Sequence, residues 1–320
     1  MQNSLQVLQS TQLARVQSAP VAMSPPPALG SEAYLEAVRQ RNAILDWLFY
    51  DIGVVTQSEA RALSPWLAAE GAILVVPPTG DGELQLCASI EEFVDLHGKK
   101  VQAVAVAGVG SSALGAAAFA RNVADALDES VAAVVSGYGL ADLATEALGG
   151  FFLFGAANSL RHRFEWLDRL RESGAIADPG ASASGTATGS PMQRSKDTRT
   201  VQALLSHKGL ALNLLIGHSK GNLVVSEALY GLKAVDPARL NKLARQSRIV
   251  TISAKIAMPA EFERITDVMG QIDGFGALNS RWDFTTEVKV PLAWHHTNTQ
   301  LPMHLPVTQT LKSIRMTGDL

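Results

Sequence analysis

Cysteine is almost absent from this chain, since Cys87 is the single one in 320 residues. One cysteine cannot form an intramolecular disulfide framework, and it excludes a metal site built from cysteine ligands. Seven histidines leave a histidine metal site possible, but no His-x-x-x-His pair lies on a helical pattern. We therefore predict no metal centre.

An excess of basic charge and a long apolar run are also missing. The formal net charge is -3, and Lys and Arg are scattered along the chain, which gives no electrostatic footprint for nucleic acid. The longest apolar stretch, 147–160, is too short and too rich in glycine to span a bilayer. We expect neither a nucleic-acid partner nor an integral membrane segment.

The first thirty residues differ in composition from the rest. Residues 1–30 are rich in Gln, Ser, Ala and Pro, and they lack the basic start and the continuous apolar core of a secretory signal. This composition predicts a flexible N-terminal tail on a cytoplasmic protein. Because 47% of the chain is hydrophobic, residues 31–320 can form one large domain around a single sheet.

Strand and helix patterns alternate through most of the chain. Two helices are predicted first, one after Ser31 and one over 58–70. The predicted strands cover 72–76, 83–87, 101–107, 131–136, 210–216, 248–253, 262–269 and 287–294, with a helix over 112–127 and another after Ser219. This order predicts an α/β fold with about eight strands in a mostly parallel sheet and helices on both faces.

A long connection, 137–207, separates the fourth and fifth predicted strands. Its apolar part, 147–154, is favoured as a cover over a site, although Phe151 to Phe154 could equally be core. Residues 174–198 are mostly Gly, Ala, Ser and Thr, which cannot bury enough apolar surface to stay ordered. We predict an insertion or lid before the fifth strand, with a disordered second half.

The sequence Gly217-His-Ser-Lys-Gly221 stands between an apolar run and an apolar-periodic helix. In a strand, sharp turn and helix of this kind, the residues two before and two after the serine must be small. Ser219 is therefore the candidate nucleophile.

A nucleophilic serine needs a base and a group that orients the base, and in this type of fold they follow in the order serine, acid, histidine. Asp273 is the first choice for the acid, with Asp267 and Asp283 as alternatives, and each could instead be a turn residue. Because the last strand is expected to end at 294–296, a base on the following loop would be His304. His296, at the predicted strand end, is the alternative.

Negative charge that develops on a substrate oxygen requires preorganised backbone N–H groups. The N–H of Lys220 and the glycine-rich loop 107–115 are the candidates. The same loop also fits a dinucleotide fingerprint, G-x-G-x-x-A from Gly108 to Ala113. However, the next strand ends at 135–138 with no Asp or Glu to hold a ribose hydroxyl.

Together these segments resemble the α/β-hydrolase superfamily, and within it the class 3 lipase-like serine hydrolases. The resemblance spans about 72–312 and is carried by three segments, 217–221 as the nucleophile motif, 107–112 as the His-Gly-x-x-Gly-Ser oxyanion loop, and 250–262 as the strand and turn before the acid. Ala107 stands where the family usually has histidine, and Lys220 is uncommon beside the nucleophile.

The resemblance implies a serine hydrolase that cleaves a carboxylic ester or thioester through an acyl-enzyme. Ser219 would attack, His304 would carry the proton, Asp273 would orient it, and the N–H groups of Val109 and Lys220 would form the oxyanion hole. Phe151 and Phe154 would line the acyl pocket. No cofactor is implied, and the expected substrate is a small-molecule, lipid-like or polyester compound. An acyltransferase with the same triad and a non-catalytic binding scaffold remain alternatives.

Overall fold

The computed structural model describes residues 45–64, 70–108, 111–136, 195–278, 280, 287–318 and 320. The tail predicted at 1–30, and the apolar segment with Phe151 and Phe154, lie outside the described residues.

Eight strands form one mostly parallel sheet, which confirms the predicted α/β architecture. The strands are β1 (Ile73–Val76), β2 (Gln85–Cys87), β3 (Ala103–Val106), β4 (Val131–Val134), β5 (Leu214–His218), β6 (Arg248–Ile252), β7 (Ile265–Gly270) and β8 (Val288–Val290). Their order in the sheet is β2-β1-β4-β3-β5-β6-β7-β8. Strand β1 is antiparallel to both of its neighbours, and the pairings from β4 to β8 are all parallel.

The central strands are buried on both faces, so they read as continuous apolar runs rather than as alternating sequences. Successive side chains still point to opposite faces. In β3, Ala103 and Ala105 pack into one core cluster, whereas Val104 and Val106 pack into the other. The sheet therefore separates two hydrophobic cores, each covered by helices.

After a helical segment at 45–49 and a 3-10 helix (Ile52–Val54), the α-helices are α1 (Gln57–Leu63), α2 (Ile90–His97), α3 (Ala113–Leu127), α4 (Lys196–Ser206), α5 (Lys220–Val235), α6 (Pro237–Gln246), α7 (Gly274–Leu278) and α8 (Val307–Thr317). Side chains of α3 and α8 pack in one core cluster, and those of α4, α5 and α6 pack in the other. None of the helices in the described ranges is long and apolar enough to cross a bilayer.

Two local predictions need correction. The last strand ends at Val290 instead of Trp294, because Pro291 has no N–H to continue the ladder and Leu292 turns the chain with a φ of 55°. Residues 196–198 belong to α4 rather than to a disordered segment. Asp197 and Thr198 are both fully buried there, so this end of the predicted linker packs against the core.

Candidate active site

Ser219 sits at a strained turn between β5 and α5. Its φ of 51° and ψ of -118° lie in a region that a residue with a side chain rarely adopts. Its own N–H donates to the carbonyl of Ile252 at 2.8 Å, which ties the turn to the end of β6. The strand and the helix thus hold the serine hydroxyl at the carboxyl edge of the sheet.

Gly217 and Gly221 are required because a side chain would not fit, and not because their backbone dihedral angles need glycine. A Cβ at Gly217 would lie 2.3 Å from Oδ1 of Asn222, and one at Gly221 would lie 2.0 Å from the carbonyl oxygen of Val106. The turn can therefore pack against β3 and against the first turn of α5 only if both positions lack a side chain.

Asp273 follows β7 and is buried at 3% exposure. The N–H of Gly276 donates to its Oδ1 at 2.6 Å. Burial alone would raise the pKa of the Asp273 carboxyl, but the hydrogen bond and charge of His295, together with the Gly276 N–H, hold that pKa below its usual value. The carboxylate is thus the stable form at neutral pH.

His295 connects the acid to the serine. Its Nδ1 lies 2.9 Å from Oδ1 and 3.0 Å from Oδ2 of Asp273, and its Nε2 lies 3.0 Å from Oγ of Ser219. Since an ionised carboxylate can only accept, Nδ1 carries the proton and Nε2 is free to accept from the serine hydroxyl. The three side chains form one directed hydrogen-bond chain.

His295, rather than His304 or His296, therefore occupies the position predicted for the base. Nδ1 of His304 lies 3.1 Å from the carbonyl of Leu301, and Nε2 of His296 lies 3.0 Å from the carbonyl of Pro302. The error followed from the length of the last strand. Because β8 ends at Val290, His295 already lies on the loop after the last strand, where the base was predicted.

The loop after β8 folds back on itself and fixes the direction of its side chains. The N–H of Trp294 donates to the carbonyl of Met303 at 2.7 Å, and that of Leu305 to the carbonyl of His296 at 2.8 Å. Of the two adjacent histidines, His295 faces Ser219, whereas His296 lies against the carbonyl of Pro302.

A segment before β1 anchors the same loop. The N–H of Thr297 donates to the carbonyl of Phe49 at 2.7 Å, and Nδ2 of Asn298 donates to the carbonyl of Trp47 at 2.6 Å. The ring of Phe49 also packs edge-on against that of His295, with centroids 6.0 Å apart. Residues 45–49, which are helical, thus hold the loop of the candidate base.

The loop after β3 lies against the nucleophile turn. A Cβ at Gly108 would be 2.9 Å from Cβ of Ser219 and 2.9 Å from the carbonyl of His218, so only glycine permits this approach. Val109, the predicted second oxyanion donor, lies outside the described residues. Lys220, the other predicted donor, begins α5, where the positive end of the helix dipole meets the serine.

The side chain of Lys220 is directed toward α4. Its Nζ lies 3.9 Å from Oδ2 of Asp197, and both side chains are buried. Burial raises the pKa of the Asp197 carboxyl, and the nearby Lys220 charge opposes this only in part.

The N-terminus of α3 is where a dinucleotide phosphate would bind if the loop at Gly108 were a nucleotide-binding loop. Asp46 fills this position, with Oδ1 accepting the N–H of Ser112 at 2.9 Å and Oδ2 accepting its hydroxyl. A Cβ at Gly115 would lie 2.1 Å from Oδ1 of Asp46, so this glycine makes room for a carboxylate of the chain itself. A carboxylate in the place where a dinucleotide phosphate would lie repels that phosphate.

His218 and Tyr50 are residues that the sequence reasoning did not select for the site. Nδ1 of His218 lies 3.1 Å from Oη of Tyr50, and its Nε2 lies 3.0 Å from the carbonyl of His295. Burial, followed by the electrostatic effect of the neighbouring His295, lowers the pKa of His218 to about 3. The one feature of the sequence that could have indicated a role for His218 is its position next to Ser219 in the motif 217–221.

Comparison of the chain with family models, with curated proteins and with solved structures found no match.

Proposed function

We propose that the chain is a serine hydrolase of the α/β-hydrolase type, which cleaves a carboxylic ester or thioester through an acyl-enzyme intermediate. The observation that carries the proposal is a series of two contacts, from Ser219 Oγ to His295 Nε2 at 3.0 Å and from His295 Nδ1 to Asp273 at 2.9 Å. Along the sequence these residues come in the order serine, acid, histidine, and the serine lies in a strained turn between a strand and a helix.

In the first half of the reaction, Oγ of Ser219 attacks the carbonyl carbon while its proton passes to Nε2 of His295. Asp273 stabilises the imidazolium that forms, and its two oxygens fix the ring for the transfer. Collapse of the tetrahedral intermediate breaks the bond to the leaving alcohol or thiol, which takes the proton from His295. The acyl group then remains on Ser219.

In the second half, His295 takes a proton from a water molecule, whose oxygen attacks the acyl carbon. The carboxylic acid is released, and the proton on Nε2 returns to Oγ of Ser219. The N–H of Lys220, at the start of α5, is proposed to hold the oxyanion in both halves together with the loop after β3.

The surface around the triad favours an apolar substrate. Large apolar side chains are exposed on the segments after β7 and β8 that carry Asp273 and His295, namely Ile272, Phe275 in α7, Leu292 and Met303. The ring of Phe275 lies 6.0 Å from that of His295, at the edge of the triad. This supports a lipid-like or polyester acyl group over a strongly polar one.

A fluorophosphonate probe tests the proposal, because it reacts with a serine only when the serine is activated. We expect the purified wild-type chain to be labelled on Ser219 and the Ser219→Ala variant to remain unlabelled. p-Nitrophenyl acetate, butyrate and octanoate should then be hydrolysed, with a preference for the longer chains. Absence of labelling in a folded wild-type chain would exclude a serine hydrolase, whereas labelling with acyl transfer to an added alcohol in preference to water would indicate an acyltransferase.

A further inference from the structure

Tyr50 and His218 connect three backbone segments of the site through consecutive hydrogen bonds. The N–H of Gly108 donates to Oη of Tyr50 at 2.6 Å, and Oη lies 3.1 Å from Nδ1 of His218. On the other side of the ring, Nε2 of His218 lies 3.0 Å from the carbonyl oxygen of His295. The chain thus runs from the loop after β3, past the residue before the nucleophile, to the backbone of the candidate base.

The direction of each bond follows from the groups at the two ends. A carbonyl can only accept, so Nε2 of His218 must carry a proton and donate it to His295. Nδ1 is then an acceptor in the neutral ring, and it receives the hydroxyl proton of Tyr50. The Tyr50 oxygen in turn accepts the N–H of Gly108. In these three bonds each donor meets an acceptor when His218 is neutral and protonated on Nε2.

The surroundings keep the ring in that form. His218 is 1% exposed, and its ring packs against those of Tyr50, Phe119 and His295 at centroid distances of 5.5, 5.8 and 5.2 Å. A charged ring would lose its hydration there, and it would also face the positive charge that His295 acquires during the proposed reaction.

We propose that Tyr50 and His218 are positioning residues, which hold the backbone of His295 and the loop at Gly108 at fixed places relative to Ser219. This inference rests on the proposed function, since it concerns the alignment of the proposed base and oxyanion loop. Neither side chain needs to touch the substrate. An error of about 1 Å in such an alignment can lower a rate about 100-fold, so the effect is measurable.

Two variants remove the bonds while they preserve most of the packing. Tyr50→Phe deletes only the hydroxyl, which breaks the bonds to Gly108 and His218 together. His218→Leu deletes both ring nitrogens, and His218→Gln restores an amide N–H that can reach the His295 carbonyl. Phe119→Leu is the matched control, because Phe119 packs on both rings, at 6.2 Å from Tyr50 and 5.8 Å from His218, through ring contacts alone.

The second-order rate constant for fluorophosphonate labelling of Ser219 is measured together with the melting temperature. We expect Tyr50→Phe and His218→Leu each to lower the rate constant about 10- to 100-fold. The double variant should be no slower than the slower single variant, because both break one chain. His218→Gln should recover part of the rate, and Phe119→Leu should lower the melting temperature while it keeps a rate near that of the wild type.

A purely structural role would instead make the rate loss of Phe119→Leu as large as that of Tyr50→Phe, and this result would overturn the inference. An unlabelled wild-type chain would refute the proposed function itself, which is a separate outcome. NMR of the ¹⁵N-labelled histidine rings gives a readout that does not depend on activity. We expect a proton on Nε2 of His218 and none on Nδ1 down to about pH 5, and a ring protonated on Nδ1 would overturn the inference.

Discussion

Nε2 of His295 lies 3.0 Å from Oγ of Ser219, although the two residues follow strands that are three positions apart in the sheet, β8 and β5. The loop after β8 must therefore cross the ends of β7 and β6 to reach the serine. Gly270, the last residue of β7, permits this crossing, since a Cβ there would lie 2.3 Å from the carbonyl of Ala293. The contact depends on the loop and not on the last strand itself.

Replacement of the candidate base should separate His295 from His304. We expect His295→Ala to lower kcat for p-nitrophenyl butyrate by about 10³-fold or more, because Nε2 of His295 is the group placed to take the proton of Ser219. His304→Ala removes a side chain that bonds to the Leu301 carbonyl on the same loop, and kcat should change less than about threefold.

The comparison is valid only if both variants fold, so circular dichroism and melting temperature accompany the rates. A large loss in His304→Ala together with an active His295→Ala would show that the loop rearranges in solution and that the sequence-based choice of base was right.

Asp273→Asn tests the orienting role of the acid. The amide can still accept the N–H of Gly276, but its NH₂ group cannot accept a proton from Nδ1 of His295. The ring is then stabilised in the wrong tautomer, and we expect kcat to fall about 10⁴-fold with little change in KM. Equal losses in kcat and in thermal stability for Asp273→Asn and for Asp267→Asn would argue that Asp273 is only structural.

The fold was predictable because its strands are visible in the sequence as short apolar runs. Residues 248–253 and 131–136 are bounded by polar or glycine-containing segments, and both contain strands of the sheet, β6 and β4. Such runs reflect burial on both faces, which is a local property of the sequence. Strand ends are less local, and β8 shows this, since Pro291 and the turn at Leu292 end it four residues earlier than predicted.

The site was predictable only where one segment defined it. The Ser219 turn follows from glycine spacing within five residues, whereas the position of the candidate base depends on where a loop crosses the ends of two strands, β7 and β6. Tyr50 carried no signal, because its hydroxyl acquires partners at Gly108 and His218 only through the tertiary fold. Asp46 similarly acquires its partner Ser112, the N-cap residue of α3, only because the fold brings a distant part of the chain there.

Alanine at Gly221 should destabilise the whole domain. The added Cβ would lie 2.0 Å from the backbone carbonyl of Val106, and backbone in a central strand cannot move aside, so we expect a loss of about 3 kcal/mol or more in the free energy of unfolding. Gly231→Ala in the same helix is the matched control. Its Cβ would meet the flexible end of Gln202, and better helix propensity offsets that contact to within about 1 kcal/mol. Urea unfolding of both variants measures the difference, and equal losses would contradict this account of the turn.

Acid should lower the free energy of unfolding through His218, because the pKa of this ring is lower in the folded chain than in the unfolded one. The unfolded chain binds a proton on this ring near the usual value of 6.5, whereas the folded chain does so only near a pKa of about 3. Between these values the unfolded state holds more protons, so stability falls as the pH is lowered, by at most about 1.4 kcal/mol per pH unit from this residue.

His218→Gln cannot titrate, and we expect its free energy of unfolding to fall less steeply between about pH 6 and 4 in urea titrations. The wild-type chain, unfolded under the same conditions, gives the reference slope. If His218→Gln also keeps that slope, the ring takes up a proton in the folded chain as readily as in the unfolded one, and the Tyr50 bond cannot hold it neutral.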